Sequence, residues 1–268
     1  MCELFAMNSA GVAKVTADLD AFAREGGERN LNRDGWGIVF AEQRDAHVFR
    51  EAAPAANSAL AKMVFEREFA SSDLIAHVRR ASQGNPLLAN THPFTRVRGG
   101  MALHFAHNGD LDGIAHLAEA ESLLEERIGD TDSELAFLIL LRRLDGSGQD
   151  DTMRFDLFAG FCADMRELGT ANFLFYDGRS LFIHADRRRS ETPEGTISEP
   201  REPGLVMRHF GDCDDIGHWH GKGPRIRNMP PRTRLFASVP LDDDEWEPLP
   251  RGTAMMLRDG AVLGRTIA

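Results

Sequence analysis

The chain begins Met1-Cys2-Glu3-Leu4-Phe5-Ala6-Met7, and this stretch decides how the fold starts. The run from Cys2 to Met7 is short and apolar and does not alternate with polar residues. Such a run predicts a buried strand at the very beginning of the chain. A cysteine at the first position of a buried strand needs an explanation of its own.

Outward from this strand, strands come first, a block of helices follows, and strands return after residue 170. This order fits helices packed on stacked, mostly antiparallel sheets better than alternating βα units. We therefore predict an α+β fold, and the lack of repeats or long linkers predicts one domain over residues 1–268. The apolar spacing predicts helices at 12–24, 57–69, 111–127, 133–144 and 152–168, and strands at 2–7, 37–40, 47–50, 74–78, 101–106, 172–176, 181–185, 205–210, 233–239 and 253–257.

The composition excludes several classes of protein. With 31 basic and 42 acidic residues, the 268-residue chain has a formal charge of −11, which is the wrong sign for binding a nucleic acid or an anionic membrane. No apolar stretch approaches the roughly 18 to 20 residues that span a bilayer, and the start lacks the regions of a signal peptide. Cysteines at 2, 162 and 213 are too few and scattered for a disulfide framework. We expect a cytoplasmic protein.

Cys2 has the chemistry of an N-terminal nucleophile. Its side chain is small enough for methionine aminopeptidase to remove Met1, which leaves a free α-amine beside the thiol. The amine has a reference pKa of about 7.7 to 8.0 and the thiol one of about 8.5, so the amine can take the thiol proton near neutral pH. No catalytic histidine is then required. The alternative is that Cys2 is only a small apolar residue entering a strand.

Further motifs follow Cys2 in the chain, and together they resemble the glutaminase domain of class II glutamine amidotransferases: His77-Val78-Arg79, Asn108-Gly109 and Thr131-Asp132-Ser133-Glu134. The similarity is closest to the stand-alone YafJ-type subfamily, through MCELF, Arg33-Asp34-Gly35-Trp36-Gly37, Asn90-Thr91-His92-Pro93-Phe94 and Ala106-His107-Asn108-Gly109. It is anchored from residue 2 to about 137 and is weaker beyond, although Ala237-Ser238-Val239-Pro240-Leu241 and Trp246 are similar to the C-terminal part of the subfamily. The resemblance implies a four-layer αββα sandwich of the N-terminal-nucleophile hydrolases.

The resemblance also implies a role for each matching residue. The Asn108 side-chain amide and the Gly109 backbone N–H would hold the oxyanion that forms when Cys2 attacks an amide. Arg79 would pair with both oxygens of the substrate α-carboxylate, which a planar guanidinium does better than lysine. Asp132 would hold the α-ammonium, and Ser82 stands where the family often has a threonine that contacts the carboxylate.

The resemblance also assigns Gly35, Trp36 and His107 to the surroundings of the substrate, and several of the assigned residues have a plainer alternative. Gly35 and Trp36 also suit a turn with a core tryptophan. In the same way, Arg79 suits an ordinary strand end and Asp132 suits the N-cap of a helix that starts near Ser133. For Asn108-Gly109 we prefer a corner between a strand and a helix over a hairpin turn.

The reaction implied is hydrolysis of the glutamine side-chain amide through a γ-glutamyl thioester, with no metal or organic cofactor. One version is a glutaminase that supplies ammonia to a separate synthase subunit. Another is a self-sufficient hydrolase of γ-glutamyl amides of the kind that act in thiol metabolism. A non-catalytic domain that binds glutamine or glutamate, or regulates a partner, is the alternative from a different class.

The remaining alternative is a metal hydrolase built on His218 and His220. His218 and His220 stand near Cys213, Asp214 and Asp215, and all of these residue types can bind zinc. The spacing matches no recognised zinc motif. We predict a loop with solvated side chains here, and no metal.

Overall fold

The structure is a computed structural model that describes residues 2–18, 21–22, 34–80, 85–148, 150–190, 196–211 and 217–267. Its α-helices include α1 (Ala59–Glu66), α2 (Asp132–Leu144) and α3 (Asp151–Leu168), with short 3-10 helices at Ala55–Asn57, Leu88–Asn90, Ile114–His116 and Glu121–Glu126. Its strands are β1 (Glu3–Ala17), β2 (Trp36–Glu42), β3 (Asp45–Glu51), β4 (Phe69–Val78), β5 (Phe94–Arg98), β6 (Met101–Leu111), β7 (Gly169–Tyr176), β8 (Leu181–Ala185), β9 (Val206–His209), β10 (His218–His220), β11 (Pro224–Arg227), β12 (Arg234–Ala237), β13 (Glu247–Pro248), β14 (Thr253–Arg258) and β15 (Ala261–Ile267).

These strands form two antiparallel sheets. The first sheet has the order β13-β9-β12-β1-β4-β2-β3, with β11 also beside β1 and β10 beside β11. The second sheet has the order β15-β14-β8-β7-β6-β5. Small and aliphatic side chains such as Leu4, Ala6, Ala106 and Leu174 pack between the two sheets.

Helices cover the outer face of each sheet. On the first sheet, Ala61 and Val64 of α1 pack with Phe5 and Phe40. On the second sheet, α2 and α3 supply most of a core built around the phenylalanines of β6 and β7. The layers are therefore helix, sheet, sheet and helix, which confirms the predicted α+β fold of two mainly antiparallel sheets.

β1 is the central element of the first sheet. It pairs with β4 along one edge, and with β12 and then β11 along the other. Its side chains alternate, because successive residues of a strand point to opposite faces. Leu4 and Ala6 point between the sheets, whereas Phe5 and Met7 point to the helix-covered face.

Two of the predicted helices are wrong. β1 continues to Ala17, so residues 12–17 of the predicted helix at 12–24 are strand; residues 19, 20, 23 and 24 lie outside the described residues. The alternate burial of Ala13, Val15 and Ala17 is the period of a strand, and the strand is stabilised by partners on both edges. The predicted helix at 111–127 contains two short 3-10 segments instead, because Gly113 takes a left-handed conformation with φ of 77°.

Other predictions hold with small shifts of their bounds. The hairpin at 37–50 is confirmed as β2 and β3, and α2 and α3 confirm the helices at 133–144 and 152–168. The cap of α2 is Thr131, whose hydroxyl accepts from Glu134 N–H, so Asp132 is the first helical residue and not the N-cap. The predicted loop at His218 and His220 is wrong, since these residues form β10 and pair with β11.

No helix among the described residues is both long and apolar enough to cross a membrane.

Candidate active site

Cys2 lies half-buried just before β1, and its sulfur contacts the main chain of Arg80. The thiol donates to the Arg80 carbonyl oxygen at 3.1 Å and accepts from the Arg80 N–H at 3.2 Å. The pairing of β1 with β4 creates this contact, because Glu3 lies opposite Val78. Burial raises the pKa of the Cys2 thiol to about 11, against the opposing effects of the Arg80 hydrogen bond and the Arg79 charge. The thiol is therefore neutral near pH 7.

Arg79 follows β4 directly and is only 3% exposed. Its N–H donates to the Gly35 carbonyl oxygen at 2.8 Å, which ties the end of β4 to the segment before β2. Its positive charge is close enough to lower the pKa of the Cys2 thiol and of His77. The structure thus brings this guanidinium to the same end of the first sheet as Cys2.

Asn108 reaches Cys2 from the second sheet. Its Nδ2 donates to the Cys2 carbonyl oxygen at 2.7 Å and lies 3.4 Å from Ser238 Oγ. The predicted corner at Asn108-Gly109 is wrong, because β6 continues to Leu111 and both residues lie inside the strand. Asn108 points between the sheets, as its neighbour Ala106 does.

Asp132 occupies the first turn of α2, where a carboxylate is stabilised by the helix dipole. Its Oδ2 accepts from the Leu111 N–H at 2.8 Å, and its Oδ1 accepts from the Ser133 N–H at 2.7 Å. The bond to Leu111 holds Asp132 against the end of the strand that carries Asn108. The side chain remains partly exposed and can accept a further hydrogen bond.

His107 lies on the opposite face of β6 from Asn108, toward α2. Its Nε2–H donates to the Thr170 carbonyl oxygen at 3.1 Å, so its Nδ1 accepts from the Ser133 hydroxyl at 2.9 Å. Burial lowers the pKa of His107, which keeps the ring neutral. These contacts join β6, β7 and α2 behind the site, and they suit support of the site more than contact with a substrate.

Gly35 and Trp36 have different surroundings. A Cβ on Gly35 would lie 3.0 Å from both the Glu51 carbonyl oxygen and Thr91 Oγ1, and its φ is 138°. Only glycine fits this close approach without strain. Trp36 is fully buried in the core on the outer face of the first sheet, where its Nε1–H donates to Glu51 Oε2 at 3.2 Å.

Two imidazoles are packed behind Arg79. The rings of His77 and His92 lie 4.4 Å apart, centroid to centroid, and both are buried. Burial, followed by the charge of Arg79, lowers the pKa of His77 to about 3, and burial lowers the pKa of His92 as well. Both rings are therefore neutral near pH 7 and add no charge beside the guanidinium.

Ser82, Cys213, Asp214 and Asp215 lie outside the described residues. The exposed rings of His218 and His220 are 5.4 Å apart, and within the described ranges no three side chains are grouped as metal ligands. A cavity of about 940 Å³ lies at the other end of the sheets, with Phe69, Asp73 and Tyr176 in its wall. Neither Cys2 nor Arg79 lines it.

Sequence reasoning did not assign two residues that the structure places at the site, Ser238 and Asn172. Ser238 bridges β1 and β6. Its hydroxyl accepts from the Leu4 N–H at 3.0 Å and lies 3.4 Å from Asn108 Nδ2, and its N–H donates to the Leu4 carbonyl oxygen. Asn172 donates to the Asn108 carbonyl oxygen. The similarity around Ala237-Ser238-Val239 was a signal for Ser238, whereas Asn172 is marked only as a polar residue in an apolar strand.

Known proteins resemble this chain along most of its length. The family model of class-II glutamine amidotransferases matches residues 1–267. A protein of Escherichia coli (strain K12) with the name "Putative glutamine amidotransferase YafJ" is 34% identical over 188 residues, which are 69% of this chain and 72% of that protein.

Solved structures agree in fold. A predicted glutamine amidotransferase from Pseudomonas aeruginosa PA01 has a TM-score of 0.67 at 24% identity, over 98% of this chain and 100% of that chain. Glutamine phosphoribosylpyrophosphate amidotransferase from B. subtilis has a TM-score of 0.56 at 16% identity, over 99% of this chain and 49% of that chain. At these identities the likeness concerns the fold alone.

Proposed function

Because the chain belongs to the class II glutamine amidotransferases, we propose that it hydrolyses the side-chain amide of glutamine to glutamate and ammonia, with Cys2 as the nucleophile. One observation carries the proposal: the Cys2 sulfur is held by Arg80, just after β4 of the first sheet, and the Cys2 carbonyl oxygen by Asn108 of the second sheet. Residues distant in sequence thus converge on the beginning of β1.

The nucleophile needs a base, since burial holds the pKa of the Cys2 thiol at about 11. Removal of Met1 places an α-amine on Cys2 itself. That amine takes the thiol proton, directly or through a water molecule, while the sulfur attacks the amide carbon. The same group later gives a proton to the departing ammonia.

The oxyanion of the tetrahedral intermediate is held by the Asn108 side chain and the Gly109 N–H. The Asn108 amide is already oriented toward the nucleophile's residue, at 2.7 Å from its carbonyl oxygen. Donors fixed before the reaction need no reorganisation as charge develops, which is why such sites lower the barrier.

The amino-acid end of glutamine is held by opposite charges. Arg79 pairs with the α-carboxylate, and Asp132 accepts from the α-ammonium. The C–N bond then breaks, ammonia leaves, and a γ-glutamyl thioester remains on Cys2. Water attacks this thioester with the help of the α-amine and releases glutamate and the free thiol.

We propose that the ammonia passes to a separate synthase subunit or to solvent. The cytoplasm is the proposed location, a choice supported by the free thiols of Cys2 and Cys162.

The test is to measure intact mass and glutamate release on the same sample. A wild-type protein that lacks Met1 should release glutamate from glutamine, and Cys2→Ala should release none while its thermal unfolding is unchanged. Cys162→Ala is the matched control, because Cys162 is a buried thiol in α3. A processed wild-type protein that binds glutamine in calorimetry without turnover would refute the proposal in favour of a binding domain.

A further inference from the structure

Asn172 on β7 lies directly opposite Asn108 on β6 in the antiparallel ladder and is completely buried. Its Nδ2 donates to the Asn108 carbonyl oxygen at 3.0 Å and to the Arg187 carbonyl oxygen at 2.8 Å. Its Oδ1 accepts from the Asp186 N–H at 2.8 Å. Both hydrogens of the side-chain amide, and its oxygen, are thus engaged by main-chain groups.

These partners fix which atom of the Asn172 amide is nitrogen. Two of them are carbonyl oxygens, which only accept, and the third is an N–H, which only donates. Rotating the amide by 180° would place its oxygen against two oxygens. The orientation of Asn172 is therefore determined by its surroundings.

The bond to Asn108 controls the direction of the next N–H. A trans peptide is planar, so the Asn108 carbonyl and the Gly109 N–H point in opposite directions. Because the Asn108 carbonyl is turned toward β7, where the Asn172 side chain donates to it, the Gly109 N–H points away from β7. β5 pairs with β6 only between Met101 and Phe105 in the described ladder, so the N–H points to an edge of β6 that β5 does not cover.

The segment around Asn172 is built to hold this amide. The Asp186 carboxylate is fully buried; its Oδ1 accepts from Arg251 Nε at 2.9 Å and its Oδ2 from the Ala171 N–H at 3.3 Å. Gly204 packs against the amide so closely that a Cβ would lie 1.9 Å from Asn172 Oδ1. Any larger residue at 204 would displace Asn172.

We propose that Asn172 is a positioning residue that locks the Asn108–Gly109 peptide plane, so that the Gly109 N–H is aimed at the oxyanion before the substrate arrives. This role rests on the proposed function for its kinetic consequence. The geometric part, control of one peptide plane by a side chain on the neighbouring strand, is independent of the substrate.

The geometric part can be read from a single NMR signal. Asn108-Gly109 is the only Asn-Gly dipeptide in the sequence. Labelling asparagine carbonyl carbons with ¹³C and glycine nitrogens with ¹⁵N therefore gives one correlation for this peptide. Asn172→Ala should shift or split that signal, because the carbonyl loses its side-chain donor.

Asn8→Ala is the matched control. Asn8 is also a fully buried asparagine on a strand; it donates to Asp73 at 2.6 Å and accepts from the Gly260 N–H at 2.9 Å, and neither of these two partners belongs to β6 or β7. The Asn8→Ala variant should leave the Asn108–Gly109 signal in place, although this substitution also removes buried hydrogen bonds and lowers stability. Asn172→Asp, which keeps the size of the side chain, replaces Asn172→Ala if that variant does not fold.

Kinetics test the catalytic consequence. Asn172→Ala should lower kcat for glutamine by about 10- to 100-fold and leave KM within a few-fold. Alkylation of Cys2 by iodoacetamide should keep its rate, because displacement of iodide forms no oxyanion. A structural defect alone would change alkylation and KM together with kcat.

An unmoved Asn108–Gly109 signal in both Asn172 variants would overturn the proposal. So would a moved signal with kcat equal to that of Asn8→Ala. If the wild-type enzyme releases no glutamate but the signal still moves in Asn172→Ala, the proposed function fails and the peptide-plane role stands.

Discussion

A Cβ atom on Gly109 would lie 1.8 Å from the Thr170 carbonyl oxygen, so the two strands meet here at a distance that only glycine allows. The same atom would lie 2.6 Å from His107 Nε2, which itself donates to the Thr170 oxygen at 3.1 Å. Gly109 is thus enclosed by two groups that are bound to each other.

Gly109→Ala should therefore displace β6 from β7 at the proposed oxyanion site. We expect kcat for glutamine to fall by about 100-fold or more, the range found when an oxyanion donor is lost, together with a lower free energy of unfolding. Stopped assays of glutamate release and urea unfolding measure the two effects.

Gly160→Ala is the control for this substitution. Gly160 lies on the exposed side of α3 with open space around its Cα, so alanine there should raise stability by about 0.5 to 1 kcal/mol and leave kcat unchanged. Wild-type kcat in Gly109→Ala would contradict the role of the Gly109 N–H.

Arg79→Lys tests recognition of the α-carboxylate. Lysine keeps the charge but loses paired hydrogen bonds, so KM for glutamine should rise by about 10- to 100-fold, as expected for the loss of a charged hydrogen bond of about 1.5 to 3 kcal/mol. The readout is the preference for glutamine over its α-amide, which lacks the carboxylate. A preference equal to that of the wild-type enzyme would refute this role.

Asp132→Asn tests recognition of the α-ammonium. The amide oxygen can still accept from either the Leu111 N–H at the end of β6 or the Ser133 N–H in α2, and Thr131 still caps the helix. We expect KM for glutamine to rise by about 10-fold or more, with only a small loss of stability. Asp151 is the first residue of α3 and forms an ion pair with Arg258 at 2.6 Å. Asp151→Asn should weaken this pair and lower stability without a change in KM.

His77 makes stability depend on pH. Folding lowers its pKa from 6.5 to about 3, so the unfolded chain takes up a proton between these values and the folded protein does not. The contribution of His77 to the free energy of unfolding is fully present above pH 6.5. It falls as the pH drops toward 3, by up to about 1.4 kcal/mol per pH unit. Asp73 acts in the opposite direction, because burial raises its pKa from 3.8 to about 6.

His77→Asn removes this contribution to the pH dependence of the free energy of unfolding. Between pH 4 and 6, its free energy of unfolding should vary with pH less steeply than that of the wild-type protein by about 1.4 kcal/mol per unit. His218→Asn, which changes an exposed side chain on β10, should keep the wild-type slope. An unchanged slope in His77→Asn would show that the histidine also titrates freely in the folded state.

Local pattern was enough to predict much of the fold. The apolar runs at 74–78, 101–106, 172–176 and 181–185 are strands as predicted, because each is too short for a helix and buried on both faces. The segment at 12–17 was mistaken for helix because its apolar residues fit both periods. Pairing with β4 and β11, which no local window contains, settles it as strand.

Part of the candidate site could likewise be predicted from the sequence, and part could not. Cys2, Arg79 and Asn108 were predicted from motifs, and the structure places them at one end of the two sheets. Asn172 could not be predicted, because its significance comes from contact with Asn108, 64 positions earlier in the chain. His107 was grouped with the substrate by its motif, whereas strand alternation turns it toward α2.

The central position of β1 restricts how the beginning of the gene can change. Inserting or deleting one codon between Cys2 and Asn8 would exchange the two faces of the strand, so that Leu4 and Ala6 would trade places with Phe5 and Met7. The large side chains would then be forced into the narrow space between the sheets. Selection should therefore tolerate substitutions in this stretch far more readily than any change in its length, whereas β15, which lies at the edge of its sheet and pairs with β14 alone, should accept a change in length more readily.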